Sequence, residues 1–323
     1  MSSALGATAA VAAGLDAKAS AQSVNRPNVL IFMPDQQNGA TVLPGSQMIK
    51  PNLDKFRGES VTFTEAHCPA PHCCPSRASF MSGWYPSEHG IYNNVSTDTA
   101  IHIDPYPGTP FWGNDLKRAG YQTAYSGKLH VGRNVTPEMC GFESLGSAEQ
   151  NSLLPPPTAR LKHYKQTRQE NYDPANRKPG EILRPGWGNL QMYQTQPNAK
   201  YETLPDYRVV QSGIAGMKRL AANSKPWCVM ISNSGGHDTY DVPKKFVDMY
   251  EGVDIELPKS YRDTLADKPG VYQRQRYEYW SQLSDSEAKE CLKHYYAKLT
   301  MQDALFGEIL AALEATGQAE NTI

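Results

Sequence analysis

Along the chain, unbroken apolar stretches are short and widely separated, and each is framed by turn residues. The first is Asn28-Val-Leu-Ile-Phe-Met33, with Pro27 before it and Pro34-Asp35 after it. A run of this length with no polar alternation predicts a strand covered on both faces, as in a parallel sheet. Asp35 then falls at the strand's carboxyl end. Residues 121–126 predict a second strand, closed by Gly127 and preceded by a short helix at 114–119. Residues 227–231 (Trp-Cys-Val-Met-Ile) predict a third, preceded by an amphipathic helix on which Val210, Ile214, Met217 and Leu220 share one face. Helices alternating with buried strands predict an α/β layer fold, in which ligands bind where the carboxyl ends of the strands open into loops.

Two long polar stretches interrupt this alternation, 147–204 with Pro155-Pro156-Pro157 and 239–282 rich in Tyr, Asp and Lys. Loops of such length are expected as lids or as segments without fixed structure. Ser284-Asp-Ser-Glu287 is a capping-box sequence. It opens a helix marked by Leu292, Tyr296, Leu299, Phe306, Ile309 and Leu313 and stopped by Gly317. Asn321-Thr-Ile323 then reads as the entry to another buried strand, so the fold is expected to continue beyond it.

Composition narrows the class. Lys and Arg total 32 against 33 Asp and Glu, for a net charge of −1, and no block of like charge is present, which argues against a nucleic-acid partner. No run approaches the roughly 18 apolar residues of a membrane span. Ala4 to Leu15 form a weakly hydrophobic segment followed by Ala17-Lys18-Ala19 and Ala19-Ser20-Ala21, the small-x-small pattern of signal-peptidase sites. Residues 1–21 are therefore expected to be a signal peptide, lacking a basic start, and the protein to be periplasmic or secreted. Residues 22–323 are expected to form the N-terminal portion of one α/β domain, with long insertions near 147–204 and 239–282. Cys68, Cys73 and Cys74 crowd together while Cys140, Cys228 and Cys291 are scattered, which is not a disulfide framework.

The chemistry concentrates in Cys73-Cys-Pro-Ser-Arg-Ala-Ser-Phe-Met-Ser-Gly83. Pro75 suits a first helical turn and Gly83 a C-terminal stop, so Cys73 faces a helix N-terminus, whose N–H groups favour an anion. Arg77, one turn on, adds a fixed charge with bidentate donors. Such a cradle suits sulfate or phosphate. A soft-metal cluster of His67, Cys68, His72, Cys73 and Cys74 is a competing reading, although its spacing is cramped for a tetrahedral site.

Cys-x-Pro-Ser-Arg followed by Gly six residues after the Arg resembles the signature of the formylglycine-dependent sulfatases. Further likeness lies in Arg26-Pro-Asn-Val-Leu with Asp35-Gln36, in Pro51-Asn-Leu-Asp54, in Val61-Thr-Phe63, in Gly120-Tyr-Gln-Thr, and in Gly127-Lys-Leu-His-Val-Gly132. The resemblance implies an alkaline-phosphatase-like three-layer α/β/α fold with a mostly parallel central sheet. It implies conversion of Cys73 to formylglycine by a maturation enzyme. The hydrated aldehyde carries two hydroxyls on one carbon, one to attack sulfur and one to expel sulfate. Asp35, Gln36 and the side chain at 73 are implied to hold a divalent cation, Ca2+ first, with Mg2+ or Mn2+ as alternatives. His130 is implied to be the base for sulfate elimination, Lys128 to bind substrate, Arg77 to hold the nucleophile, and His237, in Ser232-Asn-Ser-Gly-Gly-His237, to contact the sulfate or leaving oxygen. The substrate class is a sulfated small molecule or glycan.

Two departures stand out. Gln36 replaces the commoner second aspartate, as in the choline-sulfatase and phosphonate monoester hydrolase branches. The Asp-His or Asp-Asn pair and the later Lys that complete the family's site do not occur before Ile323, so a second chain or further sequence is expected to supply them. A phosphonate or phosphate ester hydrolase on the same scaffold and a catalytically inactive truncated relative are the alternatives.

Overall fold

The computed structural model describes residues 26–95, 100–146, 177–184 and 189–323; the leader at 1–21 and much of the 147–204 stretch lie outside the described residues. The helices are α1 (Pro51–Arg57), α2 (Cys73–Ser82), α3 (Pro86–His89), α4 (Trp112–Arg118), α5 (Pro205–Ala221), α6 (Lys244–Val247), α7 (Gly270–Glu278) and α8 (Asp285–Glu314). The strands are β1 (Val29–Met33), β2 (Gln122–Gly127), β3 (Glu143–Ser144), β4 (Glu181–Ile182), β5 (Leu190–Gln191), β6 (Tyr193–Gln196), β7 (Trp227–Ser232) and β8 (Tyr240–Pro243).

The main sheet has the order β1-β7-β2-β3 with every pair parallel. Its central strand shows why the runs are apolar throughout. On β7, Trp227, Val229 and Ile231 enter a core built with α5 and α8, whereas Cys228 and Met230 enter a second core with Cys74, Ala78 and Met81 of α2. Successive side chains alternate between faces, and both faces are covered, so every position from Trp227 to Ile231 is apolar. Each such fully buried aliphatic side chain contributes about 1.5–3 kcal/mol. The result is the expected three-layer α/β/α arrangement.

α5 begins at Pro205, where a missing N–H costs nothing, and buries Val209, Val210, Ile214, Met217 and Leu220. Gly213 lets it sit close on the sheet, since a Cβ there would lie 2.5 Å from Ile231 Cγ1. The capping box at Ser284 and Glu287 forms as written in the sequence. Beyond Gly317, Thr322 bridges Asn28 in parallel, and Leu30 N donates to Ile323 O at 2.8 Å, so the expected strand entry runs beside β1.

The 239–282 stretch differs from the expectation of a lid or an unstructured loop. β8 pairs in parallel with β6, and Val242, Phe246, Tyr250 and Ile255 join the core under α5 and α8. These anchors are separated by single turns of helix, so no apolar run was long enough to announce them. α7, by contrast, buries no residue.

The register sets Met33 of β1 and Gly127 of β2 on either side of Ser232 of β7. Three carboxyl ends therefore stand level, and the loops leaving them share one rim.

Candidate active site

Asp35 leaves β1 into this rim and is 6% exposed. Its Oδ2 accepts from Lys128 Nζ at 2.8 Å and from Arg77 Nη2 at 2.9 Å and Nε at 3.3 Å. Burial opposes the charge on Asp35, but Lys128 and Arg77 outweigh it and hold the carboxyl below its ordinary value. The other oxygen, Oδ1, faces Cys73 Sγ at 3.6 Å.

Arg77 ties the rim together. Its Nη1 donates to Lys128 O at 2.7 Å and Ser232 Oγ at 2.8 Å, so one guanidinium links the ends of β1, β2 and β7 to α2. Lys128 N donates to Ser232 O at 2.7 Å. That approach requires Gly127, which has φ +98° and where a Cβ would stand 1.9 Å from Ser232 O. Gly83, at φ 73°, ends α2 in the left-handed conformation, as its position in the motif predicts.

Of the adjacent cysteines, only Cys73 looks into the rim. It is the first residue of α2, with Lys128 Nζ 3.9 Å from its Sγ and Asp35 Oδ1 opposite. Cys74 is wholly buried in the α2 core, accepts from Val95 N, and has its thiol pushed up to about 11 by burial.

The two histidines have opposite electrostatics. His237 Nδ1 lies 3.1 Å from Asp238 Oδ1, and hydrogen bonds to Asp238 and Cys73 raise its pKa to about 10, so it is a cation at neutral pH. Burial and the charges of Lys128 and Arg77 push His130 down to about 4, leaving a neutral imidazole whose buried Nδ1 has no hydrogen-bond partner among the described residues. His130 adopts φ 52°, and so does Gln36, whose side chain is exposed and whose carbonyl accepts from Tyr295 Oη at 3.0 Å. The structure thus gathers Asp35, Cys73, Arg77, Lys128, His130 and His237 at one rim, with Gln36 adjoining Asp35.

Among the described residues, the ligand atoms of Asp35, Cys73 and His237 lie within 4.8 Å of one another, and His67, Cys68, His72 and Cys74 enter no such group. The soft-metal reading is therefore not assembled: His67 and Cys68 are exposed while Cys74 faces the core. The donors at the rim do suit a hard cation. Asp35 Oδ1 is turned away from Lys128 and Arg77 toward position 73, with Gln36 next in sequence, so a carboxylate oxygen is left for such an ion.

Sequence reasoning gave no role to the side chain of Ser232 or to Tyr125, whose Oη donates to Lys128 O at 2.7 Å. The available signal for Ser232 was the switch from apolar to polar at the end of a strand. It also passed over Asp206, which after Pro205 reads as an ordinary first-turn acid, and Lys298.

Comparison with known proteins agrees with this geometry. The family model described as Sulfatase matches residues 27–323. A choline-sulfatase of Rhizobium meliloti is 27% identical over 318 residues, covering 93% of this chain and 56% of that protein. A sulfatase of Formosa agariphila is 28% identical over 316 residues, covering 94% and 58%. The crystal structure of a phosphonate monoester hydrolase of Agrobacterium radiobacter shares the fold, with a TM-score of 0.64 at 18% identity over 92% of this chain and 61% of that one. The chain spans a little over half the length of the curated relatives it matches. Among the described residues, no helix is long and apolar enough to cross a membrane. With the fold, the level strand ends and the family match in agreement over nearly all of its length, the chain belongs to the sulfatase family.

Proposed function

We propose that this chain carries the nucleophile-bearing part of a sulfuric ester hydrolase and that Cys73 is the residue converted to formylglycine. The observation that carries the reading is the placement of the Cys73 side chain at a helix N-terminus among Asp35, Lys128 and His237, with Cys74 turned into the core. A formylglycine hydrate supplies two hydroxyls on one carbon, one for attack and one for release of sulfate. A divalent cation, Ca2+ first, held by Asp35, Gln36 and the side chain at 73, supplies charge neutralisation and a lowered hydroxyl pKa.

The chain's own residues do the rest. Lys128 and Arg77 bring positive charge to a rim whose central acid is Asp35, and a sulfate monoanion is drawn to that balance. Arg77 fixes the Asp35 carboxylate against the ends of β2 and β7. His130, neutral and with an unpaired nitrogen, accepts a proton from the group at position 73. His237, charged and beside Cys73, donates to the ester or leaving oxygen. The partners are a sulfated small molecule or glycan, a formylglycine-generating enzyme, and the polypeptide that completes the remaining metal and sulfate ligands. A periplasmic or secreted location belongs to the same reading. A second reading, a phosphonate or phosphate ester hydrolase, draws on the fold shared with a phosphonate monoester hydrolase and on Gln36, which leaves one acid fewer beside the bound ester.

The test combines peptide mass spectrometry across position 73 with turnover of aryl sulfate and aryl phosphonate, with and without added Ca2+. Conversion at 73, loss of turnover in Cys73→Ala and its retention in Cys74→Ala are expected. Preference for the phosphonate selects the second reading. Full turnover by protein with an intact thiol at 73, or none by fully converted, metal-loaded protein completed by that polypeptide, refutes the assignment.

A further inference from the structure

The loop bearing His237 is gripped from behind by polar side chains that the chemistry at Cys73 does not use. Lys298, midway along α8, donates from Nζ to two backbone carbonyls, His237 O at 2.7 Å and Thr239 O at 2.8 Å. One turn further along α8, Gln302 Nε2 donates to Asp206 Oδ2 at 2.9 Å, and Gln302 Oε1 accepts from Asn233 Nδ2. Asp206 Oδ1 accepts from Ser234 N at 3.0 Å. Main-chain groups on both sides of His237 are therefore held by α5 and α8.

A cation is a costly choice for this place. Lys298 is flanked by the buried Ala297, Leu299, Thr300 and Met301, and burial lowers its pKa. An ammonium withdrawn from water is unfavourable unless acceptors and counter-charge compensate. The two carbonyls do so together with Asp206, which is itself buried at 6% exposure. A methionine or leucine would fill the same space at less cost, so what the lysine adds is a fixed direction for the loop.

We propose that Lys298, through the carbonyls of His237 and Thr239, is a positioning residue that sets the angle at which the His237 imidazole meets the scissile ester. It touches no reacting atom, and the proposal rests on the reading of His237 given above. An ester whose alcohol leaves poorly needs a well-placed donor at the leaving oxygen, whereas an aryl ester does not. Lys298 therefore governs turnover of alkyl sulfates more than that of aryl sulfates.

The experiment compares Lys298→Met, which keeps the length and removes the donors, with Lys298→Gln, which keeps amide donors, each also in a His237→Ala background. Steady-state turnover is measured on 4-nitrophenyl sulfate and on an alkyl sulfate, after mass spectrometry has shown full conversion at 73. K298M is expected to lower kcat on the alkyl sulfate about 30-fold with KM within about threefold, and kcat on the aryl sulfate by less than about threefold. K298Q is expected to restore most of the loss, and K298M to add nothing in the H237A background. Equal losses on both substrates, or an undiminished effect without His237, overturn the proposal. Hydrogen exchange gives a readout independent of turnover: K298M should speed exchange of amides 233–240 while β7 is unchanged. If wild-type protein, converted at 73, metal-loaded and completed by its partner polypeptide, turns over neither ester, the functional reading fails and this arm alone decides, with unchanged exchange at 233–240 refuting the clamp.

Discussion

Replacing Arg77 by Met removes, in one step, donated bonds to Asp35 Oδ2 at 2.9 and 3.3 Å, to Lys128 O at 2.7 Å and to Ser232 Oγ at 2.8 Å. The side chains of Arg77 and Asp35 are 7% and 6% exposed, so water replaces little of what is lost. Removing one partner of a buried ion pair costs about 3–5 kcal/mol. Lys128 remains 2.8 Å from the same carboxylate oxygen, which keeps Asp35 paired and places Arg77→Met near the lower bound, about 3 kcal/mol. Arg77→Lys retains the charge, but one ammonium cannot span Asp35, Lys128 O and Ser232 Oγ, so it recovers about half of that. Urea unfolding followed by tryptophan fluorescence, to which the fully buried Trp227 contributes, and by circular dichroism measures all three proteins, with equal slopes required for the comparison. Should Arg77→Met fall within about 1 kcal/mol of wild type, or Arg77→Lys match wild type, the guanidinium does not tie the strand ends as argued.

Gly127→Ala meets both a positive φ and the Ser232 carbonyl, and is expected to cost about 3 kcal/mol or more and to displace Lys128; a calorimetric melt and turnover check both. Glu287 accepts from Arg177, Gly180 N and Ser284, which holds its pKa at about 2 against 4.5. Because the folded value is depressed, its stabilisation is complete above pH 4.5 and lost as pH falls toward 2. In Glu287→Gln, unfolding free energy measured across that window should flatten, and an unaltered slope there would exclude the ion pair as its source.

Much of the fold was legible because parallel strands covered on both faces favour unbroken apolar runs, and Val29 to Met33 and Trp227 to Ile231 are such runs. The capping box at Ser284 and the stop at Gly83 were legible for a related reason, since each depends on a local backbone need that few residue types meet. The β6–β8 pair was not, because Val242 and Phe246 gain their burial from α8 and from one another across the chain rather than from a local pattern. At the site, Cys73, Arg77, Lys128 and His237 stood out through the motif resemblance. The electrostatic split between His130 and His237 did not, since it arises from burial near Lys128 and Arg77 in one case and from Asp238 in the other.

The place of β7 in the sheet fixes a timetable. β1 and β2 flank it and do not pair with each other, yet the bond from Ser232 Oγ to Met33 O spans 199 residues of chain. During synthesis the segments bearing Asp35, Cys73 and Lys128 all emerge before the strand that brings them into one rim. Contacts so distant in sequence form late and slowly. Until residue 232 has left the ribosome, the thiol at 73 has no pocket to enter and remains open to solvent.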